Sequence, residues 1–78
     1  MLSTGDLAAA RPFYERAAEA GEAQAAIRLG ETFDPIFLDH IHLRGVPGNV
    51  EAALTWYRRA RDLGAAEAEV LLNSLQAK

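Results

Sequence analysis

The sequence predicts an all-α fold of antiparallel helical hairpin repeats, with about five helices in one domain. The first observation behind this prediction is a near-repeat, because residues 5–32 return 43 positions later as residues 48–75. The second is that apolar residues recur at helical spacing in both copies. The third is that glycine and proline stand between these stretches, where turns are expected. A period of this length is typical of stacked supersecondary units.

The two copies align without a gap, and their identity supports the division of the chain. Ten of the 28 aligned positions are identical: Gly5/Gly48, Ala9/Ala52, Ala10/Ala53, Tyr14/Tyr57, Arg16/Arg59, Ala17/Ala60, Gly21/Gly64, Ala23/Ala66, Ala25/Ala68 and Leu29/Leu72. The single domain, residues 1–78, therefore divides into a first repeat (5–33), an inserted short helix and turn (34–47) and a second repeat (48–75).

The first repeat is predicted to form two helices. The first helix runs from about Asp6 to Ala20, and Gly21 stands where a left-handed C-cap is expected. Pro12 removes one backbone hydrogen bond, so we expect a kink there or a later start of the helix. A second helix covers roughly residues 22–33. Its small residues are expected to allow a close approach to the first helix.

Three further helices follow. Asp34–Pro35 is the pattern of an N-cap followed by the first residue of a short helix, at about 35–43. Residues 45–48 form a turn, and Asn49 caps a fourth helix at about 50–63. A fifth helix extends from about 65 to 75. The fourth helix repeats the apolar stripe of the first, and we expect four small residues to support close helix packing: Ala17, Gly21, Ala60 and Gly64.

Composition and charge exclude several classes of function. The chain has 78 residues, no cysteine and a net charge of -3. A nucleic-acid surface normally needs an excess of basic residues, so no nucleic-acid partner is expected. No apolar run approaches the ~20 residues of a membrane span, so no membrane insertion is expected. The sequence contains no motif of a catalytic, metal or cofactor site, and we expect none of these.

These residues resemble the Sel-one-like repeat (SLR) family of the tetratricopeptide-like superfamily. The family pattern of alanine, an aromatic pair, small residues and glycine is matched in both copies by Ala9, Phe13-Tyr14, Ala17-Ala18, Gly21, Ala53, Trp56-Tyr57, Ala60 and Gly64. Ala25 with Leu29-Gly30 matches the next segment, and Gly45-Val46 with Asn49 is similar to the family's turn. The family's repeats are about two helical turns shorter, and the extra residues fall at 34–44.

The resemblance implies a tetratricopeptide-like superhelix that assembles protein complexes, often in signalling or at the bacterial envelope. In such stacks the first helix of each hairpin lines the concave surface. Five residues are therefore our candidates for binding a partner: Arg11, Glu15, Leu54, Arg58 and Arg61. The alternative is that these are solvated surface charges. If they bind, paired guanidinium groups would suit an acidic peptide or a C-terminal carboxylate.

The inserted helix is apolar almost all round. Its apolar residues are Ile36, Phe37, Leu38, Ile41 and Leu43. One interpretation is that this helix fills the groove between the hairpins. The other is that Phe37 and Ile41 belong to a surface for self-association or for a partner.

The last helix is more apolar than its counterpart in the first repeat. Leu71 and Leu75 stand where the first repeat has Arg28 and Thr32. The exposed end of a stack should become more polar, so we expect something to cover both leucines. The inserted helix, a second copy of the chain in a homodimer, or a neighbouring repeat would each do so.

The sequence therefore predicts a non-enzymatic protein–protein interaction module, an adaptor or scaffold with a protein or peptide partner. The alternative is a terminal structural cap or self-association element of a longer repeat protein. Either would suit the cytoplasm or a soluble part of a bacterial envelope protein.

Overall fold

A computed structural model describes residues 4–42 and 48–77, with side chains described from residue 7 onward. The described ranges contain five helices: α1 (Thr4–Glu19), α2 (Ala23–Phe33), α3 (Pro35–His40), α4 (Val50–Asp62) and α5 (Glu67–Gln76). No strand occurs in these ranges, so the prediction of an all-α fold is confirmed. Leu43 and the turn residues 45–47 lie outside what the structure describes.

The helices pack as a continuous series around α2 and α4. Helix α2 packs against both α1 and α4, α5 packs against α4, and α3 packs against α2. The largest fully buried side chains are those of Tyr57, Leu29 and Thr32. Most of the remaining core is alanine, and five alanines have no exposed surface: Ala18, Ala26, Ala53, Ala60 and Ala68. Small side chains at these positions let the helix backbones approach closely.

The first helix of each hairpin ends at a glycine, and the same pair of hydrogen bonds closes both ends. The amide of Gly21 donates to the carbonyl of Ala18 (3.0 Å), and that of Glu22 donates to the carbonyl of Ala17 (3.1 Å). The same two bonds recur 43 residues later, at Gly64 and the residue after it. Gly21 has φ of 100° and Gly64 has φ of 106°, a backbone conformation that favours glycine. The predicted left-handed cap at Gly21 is confirmed.

The expectation that Gly21 and Gly64 allow close helix packing is wrong. A Cβ built at either position would meet no atom within 4 Å, so these glycines serve only the backbone turn. The glycine that permits close packing is Gly30, where a Cβ would lie 2.5 Å from Cε1 of Tyr57. Gly30 therefore allows α2 to approach α4 closely, whereas the sequence predicted a close approach of α2 to α1.

Pro12 lies inside α1, which begins at Thr4, so the expected later start of this helix is wrong. Proline removes the amide that would bond the carbonyl of Ala8. Ala8 and Pro12 are both exposed, so that carbonyl lies on the side of the helix that water reaches.

Asp34 and Asn49 begin the next two helices as predicted. One carboxylate oxygen of Asp34, Oδ1, accepts hydrogen bonds from the amides of Ile36 (2.8 Å) and Phe37 (3.4 Å). The side chain of Asn49 accepts from the amide of Ala52 (3.1 Å), and its own amide donates to the carbonyl of Phe33 (2.7 Å). This last bond ties the start of α4 to the end of α2.

Candidate partner-binding surface

A buried hydrogen bond fixes the positions of α2, α3 and α4. The Tyr57 hydroxyl donates to Oδ2 of Asp34 at 2.7 Å, while Oδ1 of the same carboxylate caps α3. Tyr57 has no exposed surface and Asp34 is 3% exposed. Burial and the hydrogen bond to Asp34 raise the pKa of Tyr57 above its usual range. The tyrosine is therefore held neutral, and its hydroxyl serves to join α4 to the α2–α3 junction.

Arg11, a predicted partner-binding residue, contacts its own hairpin. Its Nη2 donates to the carbonyl of Thr32 at 2.6 Å, and its Nε donates to the Thr32 hydroxyl at 3.1 Å. The guanidinium also lies 4.0 Å from the centre of the Phe33 ring. These contacts hold α1 against the end of α2 and leave Arg11 partly buried.

The second hairpin replaces this polar contact with apolar residues. Leu54 stands 43 positions after Arg11, and Leu75 stands 43 positions after Thr32. Leu75 is 5% exposed, and Leu54 packs against the core cluster to which Leu75 belongs. The apolar character of Leu75 thus has an explanation within the chain: its partner helix carries leucine where α1 carries arginine.

The other predicted partner-binding residues lie on α1 and α4. Glu15 is exposed on α1. Leu54 and Arg58 line a shallow depression on α4. Arg61 lies beside two carboxylates, with its Nε 3.4 Å from Asp62 Oδ1 and 3.9 Å from an oxygen of Glu69. Of the five predicted residues, Leu54 and Arg58 line one depression, together with Glu51 and Thr55.

The predicted self-association residues are only partly accessible. Phe37, Ile41 and Leu71 are half-buried, and Leu75 is buried. Phe37 lines a groove with Leu7 of α1. On the other side of α3, a larger open groove of about 680 Å³ has five lining residues: Pro35, Ile36, Asp39, Val50 and Leu75. Helix α3 thus contributes to grooves at both hairpins.

One side of α1 is more exposed to solvent than the equivalent side of α4. We call Ala10, Phe13, Tyr14 and Ala17 the α1 outer face. Their counterparts on α4 are Ala53, Trp56, Tyr57 and Ala60. Three of these counterparts have no exposed surface, and Trp56 packs against the core. On α1 the two alanines and Tyr14 are half-buried. Ala17 packs against the core cluster, and Tyr14 lines the same groove as Leu7 and Phe37, while Phe13 is 72% exposed.

One side of α5 is likewise more exposed than the equivalent side of α2, and it is also more polar. On α2, Ala26, Ile27 and Gly30 are buried and Phe33 is half-buried. We call their counterparts Glu69, Val70, Asn73 and Gln76 the α5 outer face. All four are exposed, and three of them are polar. The two ends of the helix series therefore have unlike surfaces: the α1 outer face is apolar and aromatic, and the α5 outer face is mostly polar.

Phe13 was not singled out from the sequence as a binding residue. Gly30 was expected to approach α1, and the structure places it against Tyr57 of α4. The second copy has Asn73 in place of this glycine. Because Leu71 stands where the first copy has Arg28, the sequence predicted that α5 presents an apolar surface. The polar residues Glu69, Asn73 and Gln76 lie on the other side of α5.

No described helix is both long and apolar enough to cross a membrane. A scan against protein-family models finds no match, and searches of curated proteins and of solved structures find none either. The resemblance to Sel-one-like repeats therefore depends on the residues quoted for it.

Proposed function

We propose that this chain is a non-enzymatic protein–protein interaction module, a helical scaffold that binds a protein partner through the α1 outer face. The observation that carries this proposal is the exposure of Phe13, whose counterpart Trp56 packs against the core. Exposed aromatic residues on an apolar face are typical of binding surfaces, and aromatic side chains contribute most at interface centres.

The buried polar groups support a scaffold role. Tyr57 and Asp34 join three helices through one hydrogen bond, and the Thr32 hydroxyl donates to the Leu29 carbonyl at 2.6 Å. Arg11 binds Thr32 as well. The Tyr57–Asp34 and Arg11–Thr32 contacts hold helices together, and the Thr32–Leu29 bond lies within α2. The resemblance to Sel-one-like repeats favours the same kind of function.

An affinity capture from native cell extract tests this proposal with matched variants. Phe13→Glu and Val70→Glu each place a carboxylate at an exposed apolar position, one on each outer face; wild-type Val70 is 66% exposed. We expect a partner that the wild type and Val70→Glu capture and Phe13→Glu does not. Circular dichroism checks that all variants remain helical.

The polar row predicted on α4 is examined in the same experiment by Arg58→Glu. Arg58 is exposed and lines a depression with Leu54 and Glu51. Retention of the partner by Arg58→Glu, with its loss in Phe13→Glu, supports binding at the α1 outer face. The reverse pattern would assign the partner to α4, and an unchanged partner in both variants would contradict the proposed surface.

The α5 outer face favours a second candidate function, that of a terminal structural cap in a stack of helical repeats. Glu69 and Asn73 stand where α2 has the buried Ala26 and Gly30. Such a polar surface suits the last helix of a stack. In this case the captured partner should itself be a helical repeat protein. A partner of another architecture would argue against the cap.

A further inference from the structure

We propose that α1 is a releasable helix, which detaches from α2 and unfolds while α2, α3, α4 and α5 keep their fold. Arg11 is the latch that holds α1 in place. Release uncovers the side of α2 on which Thr32 and Phe33 contact this arginine, so the chain contains a surface that is closed while α1 is docked. This inference goes beyond the proposed function, because it concerns the chain without a partner.

Helix α1 buries few side chains for its length. Of its described side chains, residues 7–19, only those of Leu7 and Ala18 are buried. Six of the 11 residues of α2 are buried, and the 10 residues of α5 include three buried side chains, two of them leucines. Because buried apolar surface is the main contribution that holds a helix in place, the release of α1 costs less free energy than that of α5.

The contact between α1 and α2 includes polar groups that water can replace. Arg11 donates from Nη2 to the Thr32 carbonyl at 2.6 Å and from Nε to the Thr32 hydroxyl at 3.1 Å. Arg11 is half-buried, so its guanidinium is partly hydrated before release and fully hydrated after it. Hydrogen bonds that are exchanged for bonds to water contribute a modest net free energy. This latch can therefore hold α1 and still open.

Helix α2 keeps its place without α1, because its other side is held by α4. A Cβ at Gly30 would lie 2.5 Å from Cε1 of Tyr57, so the two helices are in close contact there. The Tyr57 hydroxyl donates to Asp34 at 2.7 Å, and this tyrosine has no exposed surface. None of these three residues lies on α1. Release of α1 therefore leaves the contact between α2 and α4 intact.

Once released, α1 unfolds, because its own sequence does not keep it helical. Pro12 lies within the helix and removes one of its hydrogen bonds. Isolated helices of this length are marginal in water even without a proline. The junction with α2 suits a hinge: residues 20–22 are exposed, and a Cβ at Gly21 would meet no atom within 4 Å. No packing at Gly21 resists the motion.

Native-state hydrogen exchange, followed by NMR on the full chain, measures this release. We expect the amides of residues 13–19 to share one opening free energy, with protection factors at least about tenfold lower than those of the slowest amides of α4. The alternative is fraying, in which protection rises along α1 until its last turn is as protected as α4. That result would overturn the proposal.

Leu72→Ala separates the release of α1 from unfolding of the whole chain. Leu72 is 3% exposed on α5, so the amides of α4 should exchange at least about tenfold faster in this variant. The amides of α1 should be unchanged, because α5 is folded both before and after release. The milder Leu72→Val makes the same comparison if Leu72→Ala does not fold. Equal acceleration in α1 and α4 would mean that α1 opens only with the whole chain, which overturns the proposal.

Two arginines of α1 provide a matched test of the latch. Arg11→Leu removes the contacts with Thr32 and should accelerate exchange of the α1 amides about tenfold. Arg16→Leu makes the same change at an exposed position and should alter exchange by less than about threefold. Equal effects of the two changes would overturn the role of Arg11. No partner is present in these measurements, so their outcome is independent of the capture experiment that tests the proposed function.

Discussion

Tyr14 and Tyr57 are the same residue at equivalent positions, and the structure gives them different environments. Tyr57 is fully buried between α2 and α4 and donates to Asp34, whereas Tyr14 is half-buried on the outermost helix. The difference arises from the neighbouring helix and not from the local sequence. This pair provides matched positions at which the same change has unequal effects.

Tyr57→Phe should lower the free energy of unfolding by about 2 kcal/mol. The variant removes one hydrogen bond to a buried carboxylate and leaves Oδ2 of Asp34 without its donor. Tyr14→Phe should change the free energy of unfolding by less than about 0.5 kcal/mol, as expected for a partly exposed site. Urea denaturation followed by circular dichroism measures both. Equal losses in the two variants would contradict a special role of the buried pair.

The same tyrosine makes stability depend on alkaline pH. Burial and Asp34 raise the pKa of Tyr57 in the folded chain, whereas tyrosine in the unfolded chain ionises near pH 10. The stability it contributes is therefore fully present below about pH 10 and is lost as the pH rises. Above that pH, the free energy of unfolding should fall more steeply in the wild type than in Tyr57→Phe, by about 1.4 kcal/mol per pH unit. Parallel curves would contradict this.

Gly30→Ala should destabilise the chain by roughly 1–3 kcal/mol. Alanine favours a helix over glycine by about 1 kcal/mol, but its Cβ would overlap the Tyr57 ring, and overpacking outweighs the gain. Asn73→Ala, at the equivalent and exposed position of α5, should be neutral or slightly stabilising. Thermal unfolding compares the two variants. A stabilised Gly30→Ala would show that Tyr57 has room to move.

The boundaries of the helices were largely predictable, because they depend on residues close in sequence. Asp34 before proline, Asn49, and the glycines at positions 21 and 64 each fix a helix end through their own backbone or capping atoms. Pro12 indicated a kink or a later start, and of these the later start is wrong, because α1 begins at Thr4. The free carbonyl it creates lies on an exposed side of α1, where water is available.

The exposure of each helix face was less predictable, because it depends on which neighbours pack against it. The same pattern of alanine and tyrosine is buried on α4 and partly open on α1. Likewise, Arg11 was predicted to bind a partner from its position on the helix. Its contacts with Thr32 and Phe33 come from the pairing of α1 with α2, which the sequence alone did not specify.

The first hairpin pairs Arg11 with Thr32, and the second has leucine at both equivalent positions. We therefore expect these residues to be exchangeable only as pairs. Arg11→Leu/Thr32→Leu gives the first hairpin the leucines found at 54 and 75. Each single change removes one side of the Arg11–Thr32 contact, and only the double variant restores a matched apolar pair. The double variant should therefore lose at least about 0.5 kcal/mol less stability than the sum of the single variants. Urea denaturation of all four proteins measures this coupling; additive losses would contradict the pairing.

At the scale of the molecule, the four principal helices form a series with two different ends. The α1 outer face keeps the residues that α4 uses to bind α2, and the α5 outer face has lost those that α2 uses to bind α4. Identical copies therefore lack a complementary pair of surfaces for joining head to tail. A chain with both surfaces would associate head to tail, into a ring if the rotation between copies closes and into an open series if it does not.

Restoring the missing surface should produce this association. Glu69→Ala/Asn73→Gly/Gln76→Phe gives α5 the residue types that α2 has at these positions, so α5 of one copy should then receive α1 of the next. We expect sedimentation velocity to show concentration-dependent oligomers, which Phe13→Glu in the same background abolishes. The control is Glu69→Ala/Asn73→Leu/Gln76→Phe, which is equally apolar but has a large side chain where α2 has Gly30. It should stay monomeric, because the contact requires the opening at position 73 and not hydrophobicity alone. Oligomers in both triple variants, or in neither, would contradict this account of the two ends.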